Sequence, residues 1–419
     1  MRAIAVIDGE HYAPVVRDAL VALPYDFAAV WLAGGVEKLR GGEDYGVPVA
    51  DDLDAAIAEH EPEVIIDVSD EPVLGPRERF RVASRVLARG LPYVGADFRF
   101  DPPDFAPFPL PSLGVIGTGK RVGKTAVTGH LARLLARDRD VVVVAMGRGG
   151  PPEPGIAEVR PTLETLLELS REGRHAASDY LETAALAGVV TIGCRRCGGG
   201  LAGAPGESNV LAGAALAAER EPDIVVFDGS GAAIPPVDVG ARVLVTSTSQ
   251  PLGVAAGYLN AYRILISDLV VATGGGVEPL ERALAEVKPG VRVIGADLRP
   301  RPVQPVAGRR VAFFTTAPTT AHESLARHLR EAHGANVVHV SGNLARRAEL
   351  QTELDRVDAQ TYLVEIKAAA IDVVAEAALA RGAELVFAEN EVVPSGGANL
   401  DAELLVLAER AAAQEPVVG

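Results

Sequence analysis

The sequence is poor in cysteine and in aromatic residues: of its 419 residues two are cysteines and 5% are aromatic. Two cysteines make no disulfide framework, so we expect a reducing, cytoplasmic setting. With so few aromatics, the core is expected to be aliphatic. No apolar run approaches the ~20 residues of a membrane span. The opening residues are interrupted by Asp8 too soon for a signal peptide, so no membrane contact is expected.

The chain also lacks a basic excess, since its formal net charge is −16. This argues against nucleic-acid binding through a basic face, although a small, locally basic pocket for an anionic ligand remains compatible with it. Its 48% hydrophobic and 23% charged residues are typical of a globular protein. The length suggests two or three domains.

Residues 113–125 carry the strongest motif, in which an apolar run leads into a glycine-rich loop ending in Gly-Lys-Thr. An alanine- and leucine-rich helical pattern follows, which is the context of a phosphate-binding loop (P-loop). Lys124 would reach the β- and γ-phosphates, and the Thr125 hydroxyl would bind Mg²⁺. No guanine-reading Asn-Lys-x-Asp sequence follows the later strand at 269–272, so we expect ATP and Mg²⁺ as cofactors. The expected nucleotide-binding residues are Gly117, Thr118, Gly119, Lys120, Arg121, Val122, Gly123, Lys124 and Thr125.

One position departs from the usual P-loop pattern. That pattern begins with glycine five residues before Gly123, where this chain has Thr118, and the glycine lies one place earlier at Gly117. Either Thr118 adopts an ordinary backbone conformation or the loop is a variant. The order Gly-Thr-x-x-x-Val-Gly-Lys-Thr resembles the dethiobiotin-synthetase-like branch of the P-loop fold.

Two further strand ends carry candidate catalytic residues. An apolar run ends at Asp228, about 100 residues after the loop, where a P-loop fold has a second acidic residue that holds Mg²⁺ or positions the attacking group. Another run, at 141–145, leads into a turn with Arg148 and Glu153. We predict Lys124, Asp228 and Arg148 as catalytic residues, and Thr125, Asp228 and Glu153 as metal ligands. A plain turn is the alternative for Arg148 and Glu153.

Both cysteines flank Arg195 and Arg196 in a glycine-rich segment, residues 193–200, which is expected to form a loop. A Cys-x-x-Cys can be half a zinc site, but the chain has no cysteines to complete a four-sulfur one. A redox pair is the second interpretation, and the thioredoxin setting is not well matched. We favour the third, in which the arginines bind an anionic substrate, because a guanidinium group matches phosphate oxygens. An uninvolved loop comes next.

The regions on either side of the P-loop also alternate strands with helices. We therefore predict an α/β fold in which a central P-loop NTPase parallel sheet (109–305) is flanked by N-terminal (1–108) and C-terminal (306–419) Rossmann-like α/β domains. Ligands of such sheets bind beyond the carboxyl ends of the strands, where Asp8, His11 and Lys367 lie. Solvated loops are the alternative. Residues 297–302 either border the base or form a second linker.

Several segments together resemble the cyclic 2,3-diphosphoglycerate synthetase family over nearly the whole chain: residues 6–12, 117–125, 146–151, 193–198, 228–231 and 365–372. The resemblance implies ATP- and Mg²⁺-dependent closure of 2,3-bisphosphoglycerate into its cyclic pyrophosphate, with release of ADP and phosphate. It also implies a cytoplasmic homodimer, and a homologue elsewhere could use another bisphosphate. The predicted substrate contacts are Asp8, His11, Arg195, Arg196 and Lys367, and the N-terminal domain is expected to be a substrate or lid module.

Two other functions remain open at this point. A regulatory or assembly ATPase would use the cysteines as a dimer metal site, but such proteins usually carry a signature lysine where this chain has Gly119, beside Lys120. A related ATP-dependent ligase or kinase acting on another anion is the second. A dethiobiotin-like ligase would be expected to be a single-domain protein.

Overall fold

The computed structural model describes residues 1–173, 179–366 and 370–413. These residues form two compact units, of which the first comprises residues 1–104, 250–266 and 279–291, and the second the rest of the described chain. No described helix combines the length and the hydropathy needed to cross a bilayer.

The first unit contains a six-stranded sheet of order β3-β2-β1-β4-β5-β6 within residues 1–104, all of which are described. The pairs from β3 to β5 are parallel, as the alternation of strands and helices predicts, and β6 is antiparallel to β5. The central strand β1 is buried at five of its six residues, in keeping with its apolar run. The elements are β1 Arg2–Ile7, α1 Ala13–Ala22, β2 Asp26–Leu32, β3 Val49–Ala50, α2 Leu53–His60, β4 Val64–Asp67, α3 Pro76–Ala88, β5 Tyr93–Val94 and β6 Arg99–Phe100.

The second unit carries the P-loop and the C-terminal region. Its strands are β7 Ser112–Gly117, β8 Val141–Gly147, β9 Gly155–Ala157, β10 Val190–Cys197, β11 Glu207–Ser208, β12 Ile224–Asp228, β13 Ala241–Ser247, β14 Leu269–Thr273, β15 Arg292–Pro302, β16 Arg310–Phe314, β17 Asn336–Ser341, β18 Thr361–Glu365 and β19 Glu384–Pro394. The helices that follow α3 along the chain are α4 Lys124–Leu135, α5 Leu163–Arg171, α6 Asp179–Ala187, α7 Val210–Glu219, α8 Leu252–Ala255, α9 Asn260–Leu265, α10 Glu278–Val287, α11 His322–His333, α12 Arg347–Leu354, α13 Glu376–Arg381 and α14 Leu400–Ala413; of these, α8, α9 and all but the first residue of α10 belong to the first unit. A π-helical turn spans Ala370–Ala375, and short 3₁₀ turns span Val36–Lys38 and Thr319–Ala321.

These strands form one sheet, thirteen-stranded in the described residues, of order β11-β10-β8-β12-β7-β13-β14-β15-β19-β18-β16-β17, with β9 beside β10. The P-loop strand β7 lies between β12 and β13 and is parallel to both. Helix α4 buries Val127, Leu131 and Leu135, spaced by four residues, in a cluster with valines of the neighbouring strands. This aliphatic core agrees with the low aromatic content.

The linker interpretation of residues 297–302 is wrong, because they continue strand β15. Ala296 to Pro302 pair antiparallel with Pro394 to Ala388 of β19, which joins the C-terminal strands to the P-loop sheet. On its other side β15 pairs with β14 only from Arg292 to Ala296. The prolines therefore lie where one edge of the strand is open, and an open edge tolerates a residue without an N–H.

Candidate functional site

The P-loop connects the end of β7 at Gly117 to the start of α4 at Lys124. Only Arg121 and Gly123 between them have positive φ, at 60° and 92°, so Thr118 has an ordinary backbone conformation. The Thr118 N–H donates to the Val245 carbonyl (3.1 Å), and its hydroxyl donates to Thr246 Oγ1 (3.0 Å). Threonine at this position thus anchors the start of the loop to β13.

The far end of the loop is seated against β14 and β15. A Cβ on Gly123 would lie 2.7 Å from Leu298 Cδ1 and 2.9 Å from Thr273 Cγ2, so both its φ and its surroundings require glycine. The buried Thr273 hydroxyl donates to the Val122 carbonyl (2.9 Å). Thr273, which begins the segment found in place of a guanine-reading sequence, therefore holds the P-loop through the backbone of Val122.

Lys124 and Asp228, both predicted as catalytic, are in direct contact. Lys124 Nζ donates to Asp228 Oδ1 over 2.8 Å, and the Thr128 hydroxyl donates to the same oxygen over 3.0 Å. Because β12 pairs with β7, Asp228 lies beside Val115, close to where the P-loop begins. Burial raises the pKa of Asp228, the charge of Lys124 opposes that shift, and the charge of Asp179 adds to it.

Three cations converge beside this pair, and we call Lys120, Arg148 and Arg196 the cation cluster. They come from the P-loop, the end of β8 and β10, and they meet over Gly231. A Cβ on Gly231 would lie 2.7 Å from Arg148 Nη2 and 3.7 Å from both Arg196 Nη2 and Lys120 Cγ. The last glycine of the Asp-Gly-Ser-Gly segment therefore leaves room for the two guanidinium groups.

Arg196 is fixed in this cluster through its guanidinium group. Its Nη2 donates to the Ser230 carbonyl (2.8 Å) and its Nη1 to the Gly198 carbonyl, whereas its Nε is buried without a hydrogen-bond partner among the described residues. Burial lowers the pKa of Arg196, and the neighbouring charge of Arg148 lowers it further. Holding like charges together costs free energy that an anionic ligand would offset.

Arg195 does not share this position. The expected loop is instead strand β10, which runs to Cys197 because β8, β9 and β11 all pair with it. Successive strand residues point to opposite faces, so Arg196 joins the cluster and Arg195 is exposed away from it. The local pattern of glycines suggested a loop, and pairing with neighbouring strands overrides it.

The same strand separates the two cysteines. Three residues of extended chain span about 10 Å and place the side chains on opposite faces, whereas a disulfide needs Cα atoms no more than about 7 Å apart. Cys194 is buried, which raises its pKa to about 12, and Cys197 is exposed. The redox-pair and shared-zinc interpretations are therefore wrong for this chain, and no described cluster of three or more His, Cys, Asp or Glu residues could hold a metal.

Two acidic residues differ from expectation at this edge. Glu153 is exposed between β8 and β9, and the described structure records no contact between it and Thr125 or Asp228. Asp179, at the start of α6, is not among the predicted site residues, yet its Oδ2 lies 3.2 Å from where a Cβ of Gly147 would be. Nothing in the local pattern around Asp179 signals this, because a helix-starting aspartate is common.

In the first unit, Asp8 is buried and organises the loops after β1 and β4. It accepts hydrogen bonds from the N–H groups of Glu10 (2.9 Å), His11 (3.1 Å) and Asp70 (2.7 Å), and from His11 Nδ1 (2.9 Å). Burial alone would raise the pKa of Asp8, but the hydrogen bonds from Asp70 and His11 outweigh it and lower the pKa. The imidazole of His11 remains partly exposed, whereas the carboxylate oxygens of Asp8 are occupied by these hydrogen bonds.

Three family models match the chain, described as the N-terminal domain (residues 2–101), the P-loop domain (112–295) and the C-terminal domain (302–391) of cyclic 2,3-diphosphoglycerate synthetase. The chain belongs to the cyclic 2,3-diphosphoglycerate synthetase family. The resemblance carried by the sequence motifs is thereby confirmed, as is the α/β fold with a P-loop domain.

Relatives named cyclic 2,3-diphosphoglycerate synthetase align with this chain over nearly their whole length. The protein from Rubrobacter xylanophilus is 51% identical over 436 aligned positions, covering 98% of each chain. That from Thermococcus gammatolerans is 44% identical, covering 97% of each. A structure of LpxK from Aquifex aeolicus in complex with ATP is 16% identical and covers 74% of this chain and 90% of that one, with a TM-score of 0.44. At that score the likeness adds nothing to the argument.

The P-loop edge of this family member suits a nucleotide with a divalent cation. Thr125 lies in the first turn of α4, and the carboxylate of Asp228 offers the kind of oxygen donor that Mg²⁺ prefers. Lys367, predicted as a substrate contact, lies outside the described residues. Glu365, two residues earlier, is buried and accepts hydrogen bonds from the Thr316 N–H (3.1 Å) and the Asn390 amide (3.2 Å).

Proposed function

We propose that this protein closes 2,3-bisphosphoglycerate into cyclic 2,3-diphosphoglycerate, using ATP and releasing ADP and phosphate. The observation that carries the proposal is the cation cluster beside the P-loop. A P-loop alone accounts for one polyanion, the nucleotide tail. Arg148 and Arg196, which lie outside the P-loop, bring two more positive charges to Gly231 beside the stem of Lys120, which suits a second polyanion.

The reaction requires two successive transfers at phosphorus. An oxygen of one substrate phosphate attacks the γ-phosphorus of ATP, the bond to the bridging oxygen breaks, and ADP leaves. The second substrate phosphate then attacks the inner phosphorus of the new diphosphate, a P–O–P bridge closes the ring, and inorganic phosphate leaves. Both nucleophiles belong to one molecule, so the second step is intramolecular and gains the corresponding entropy.

The residues of the site would act on different groups of the two ligands, according to where each residue lies. Lys124 and the loop amides would hold the β- and γ-phosphates, and Arg148 and Arg196 would neutralise the acceptor phosphates during attack. Mg²⁺ held by Thr125 and Asp228 would neutralise charge that develops on the transferred group. His11 is kept as a proposed substrate contact of the first unit because its imidazole is partly exposed, and Lys367 is kept on the resemblance.

Some parts of the proposal rest on composition and on the family resemblance alone. These are the cytoplasmic location, the homodimer, the division into domains 1–108, 109–305 and 306–419, and the substrate-binding role of Asp8. Arg195, which is exposed away from the cation cluster, is not assigned a contact with the acceptor. Glu153 is not proposed as a metal ligand, because its side chain is exposed in the loop between β8 and β9. The proposal of acceptor binding by Arg148 and Arg196 does not depend on any of them.

Phosphorus NMR of the purified protein with Mg²⁺, ATP and 2,3-bisphosphoglycerate tests the proposal. We expect signals of a cyclic pyrophosphate, ADP and inorganic phosphate to grow together in equal amounts. The Lys124→Ala variant serves as the control for contaminating activity. Release of ADP without a cyclic product would contradict the proposed acceptor and favour kinase or ligase activity on another anion.

A further inference from the structure

Asp179 lies at the same sheet edge as the predicted catalytic aspartate. Its Oδ2 is 3.2 Å, and its Cγ 3.6 Å, from the position that a Cβ of Gly147 would occupy at the end of β8. Strand β8 is the neighbour of β12, and Ala145 is the register partner of Asp228. Asp179 is thus held over a strand end that lies two residues beyond the level of Asp228.

The lack of a side chain at Gly147 is what permits this approach. Any Cβ there would press on the carboxylate of Asp179 at a distance tighter than ordinary van der Waals contact. The negative charge of Asp179 raises the pKa of Asp228, which disfavours the ionised carboxylate there. It also acts to raise the pKa of Arg196, which favours the charged guanidinium group. Asp179 is therefore near enough to both Asp228 and Arg196 for its charge to act on each of them.

Two carboxylates at one sheet edge, near the loop that carries the Thr125 hydroxyl, match what Mg²⁺ needs in a nucleotide site. This ion is commonly held by one or two carboxylates together with substrate phosphates, without an all-protein cage. The described residues contain no group of three acidic, histidine or cysteine side chains suited to a metal. A site completed by a triphosphate is consistent with that finding.

We propose that Asp179 is the second carboxylate which, with Asp228 and Thr125, holds the magnesium ion of the bound nucleotide. The proposal rests on the use of Mg²⁺-ATP in the proposed function and deepens it. Glu153, which sequence spacing favoured for this place, is exposed in the loop between β8 and β9.

Binding of Mn²⁺ to the protein with ADP, measured by electron paramagnetic resonance, tests Asp179 without requiring catalysis. We expect Asp179→Asn to raise the Mn²⁺ dissociation constant about 10- to 100-fold, the range seen for residues that support a metal site. The affinity for ADP without metal is expected to stay within twofold of the unsubstituted protein. Glu168→Gln, an exposed acid on α5, is the matched control and should change neither constant.

Gly147→Ala provides a second variant, because its methyl group would displace the Asp179 carboxylate while every charge is retained. We expect it to weaken Mn²⁺ binding in the same direction. Unchanged Mn²⁺ affinity in a folded Asp179→Asn protein would overturn the proposal, and so would a loss of 2,3-bisphosphoglycerate affinity alone. The latter would assign Asp179 to the support of Arg196. Failure of the cyclisation assay leaves this measurement unaffected, so the two proposals fail separately.

Discussion

The carboxyl edges of the two sheets make an instructive comparison. Both sheets are largely parallel where strands and helices alternate, and both carry polar side chains where their strands end. In the first unit, Asp8 and Asp67 are buried, but each accepts several hydrogen bonds from its surroundings; Asp67 binds Ser69, Arg79 and Tyr93. In the second unit, the guanidinium groups of Arg148 and Arg196 both lie close to Gly231.

The difference shows that a polar strand end is not by itself a ligand site. Asp8 and Asp67 accept hydrogen bonds from backbone N–H groups, and Asp67 also forms an ion pair with Arg79, so both carboxylates tie loops together. In the cation cluster of the second unit, Arg148 and Arg196 lie near each other, and such like charges are unfavourable until an anion joins them. The grouping of like charges distinguishes the edge of the second unit, and the predictions that follow examine that distinction.

The largest effect is expected for Lys124→Ala. The lysine is both the counter-ion of buried Asp228 and the proposed phosphate contact, so we expect ATP-dependent ADP release to fall at least about 10²- to 10³-fold. The unpaired carboxylate should also lower stability by about 3–5 kcal/mol. Adding Asp228→Asn should restore much of the stability but none of the activity. Activity of the single variant close to that of the unsubstituted protein would contradict the assignment.

Asp8→Asn is expected to destabilise the first unit without touching the cation cluster. Loss of the hydrogen bonds to Asp8 should cost about 1–3 kcal/mol, measured by urea unfolding with the fluorescence of Trp31, the chain's single tryptophan. Asp44→Asn, at an exposed position, is the control and is expected to change the urea midpoint much less than Asp8→Asn does.

The Asp8 effect has a defined pH dependence. Because the pKa of Asp8 is lowered from 3.8, its stabilising contribution is present above pH 3.8 and is lost as the pH falls through the lowered value. The stability difference between the unsubstituted protein and Asp8→Asn should therefore be similar at pH 7 and pH 5 and shrink below pH 3.8. A difference that grows on acidification would contradict this account.

Gly231→Ala is expected to disturb the cluster while keeping all its charges. Its φ of +61° costs alanine about 1–2 kcal/mol, and the methyl group would meet Arg148. We expect severalfold weaker binding of 2,3-bisphosphoglycerate by calorimetry and unchanged ADP binding. Gly308→Ala, with φ of +73° and no atom within 4 Å of the added methyl group, should show the strain alone. Equal acceptor affinity in the two variants would argue against the cluster.

The smallest effect is expected for the cysteines. Cys194 is buried and its pKa is raised to about 12, whereas Cys197 is exposed. A thiol reagent at pH 8 should therefore label one cysteine per folded chain, and Cys197→Ser should abolish that labelling without loss of activity. Rapid labelling of both thiols, or an active-site zinc lost with Cys197→Ser, would contradict the strand geometry.

Much of the fold could be predicted because its signals are local. The apolar runs of β1, β7, β8 and β12 and the Gly-Lys-Thr turn each carry their own pattern. The position of Asp228 near the P-loop also followed, since a P-loop sheet places its second acidic strand beside the loop, whereas the direct contact between Lys124 and Asp228 did not.

The rest depends on contacts between distant segments. Whether Arg195 or Arg196 reaches the site depends on β10 being extended through Cys197, which its neighbours determine. Asp179 reaches the edge only because α6 packs over Gly147, and the strand at 297–302 exists only because β19 pairs with it. Spacing along the chain contains none of this information.

The most direct test of the central claim compares the two adjacent arginines. Binding of 2,3-bisphosphoglycerate to Arg196→Ala and Arg195→Ala should be measured by calorimetry, with ADP binding as the internal reference. A charged hydrogen-bond partner contributes about 1.5–3 kcal/mol, so Arg196→Ala should bind the acceptor about 10- to 100-fold more weakly, and Arg195→Ala should match the unsubstituted protein. Equal losses, or no loss in Arg196→Ala, would contradict the account.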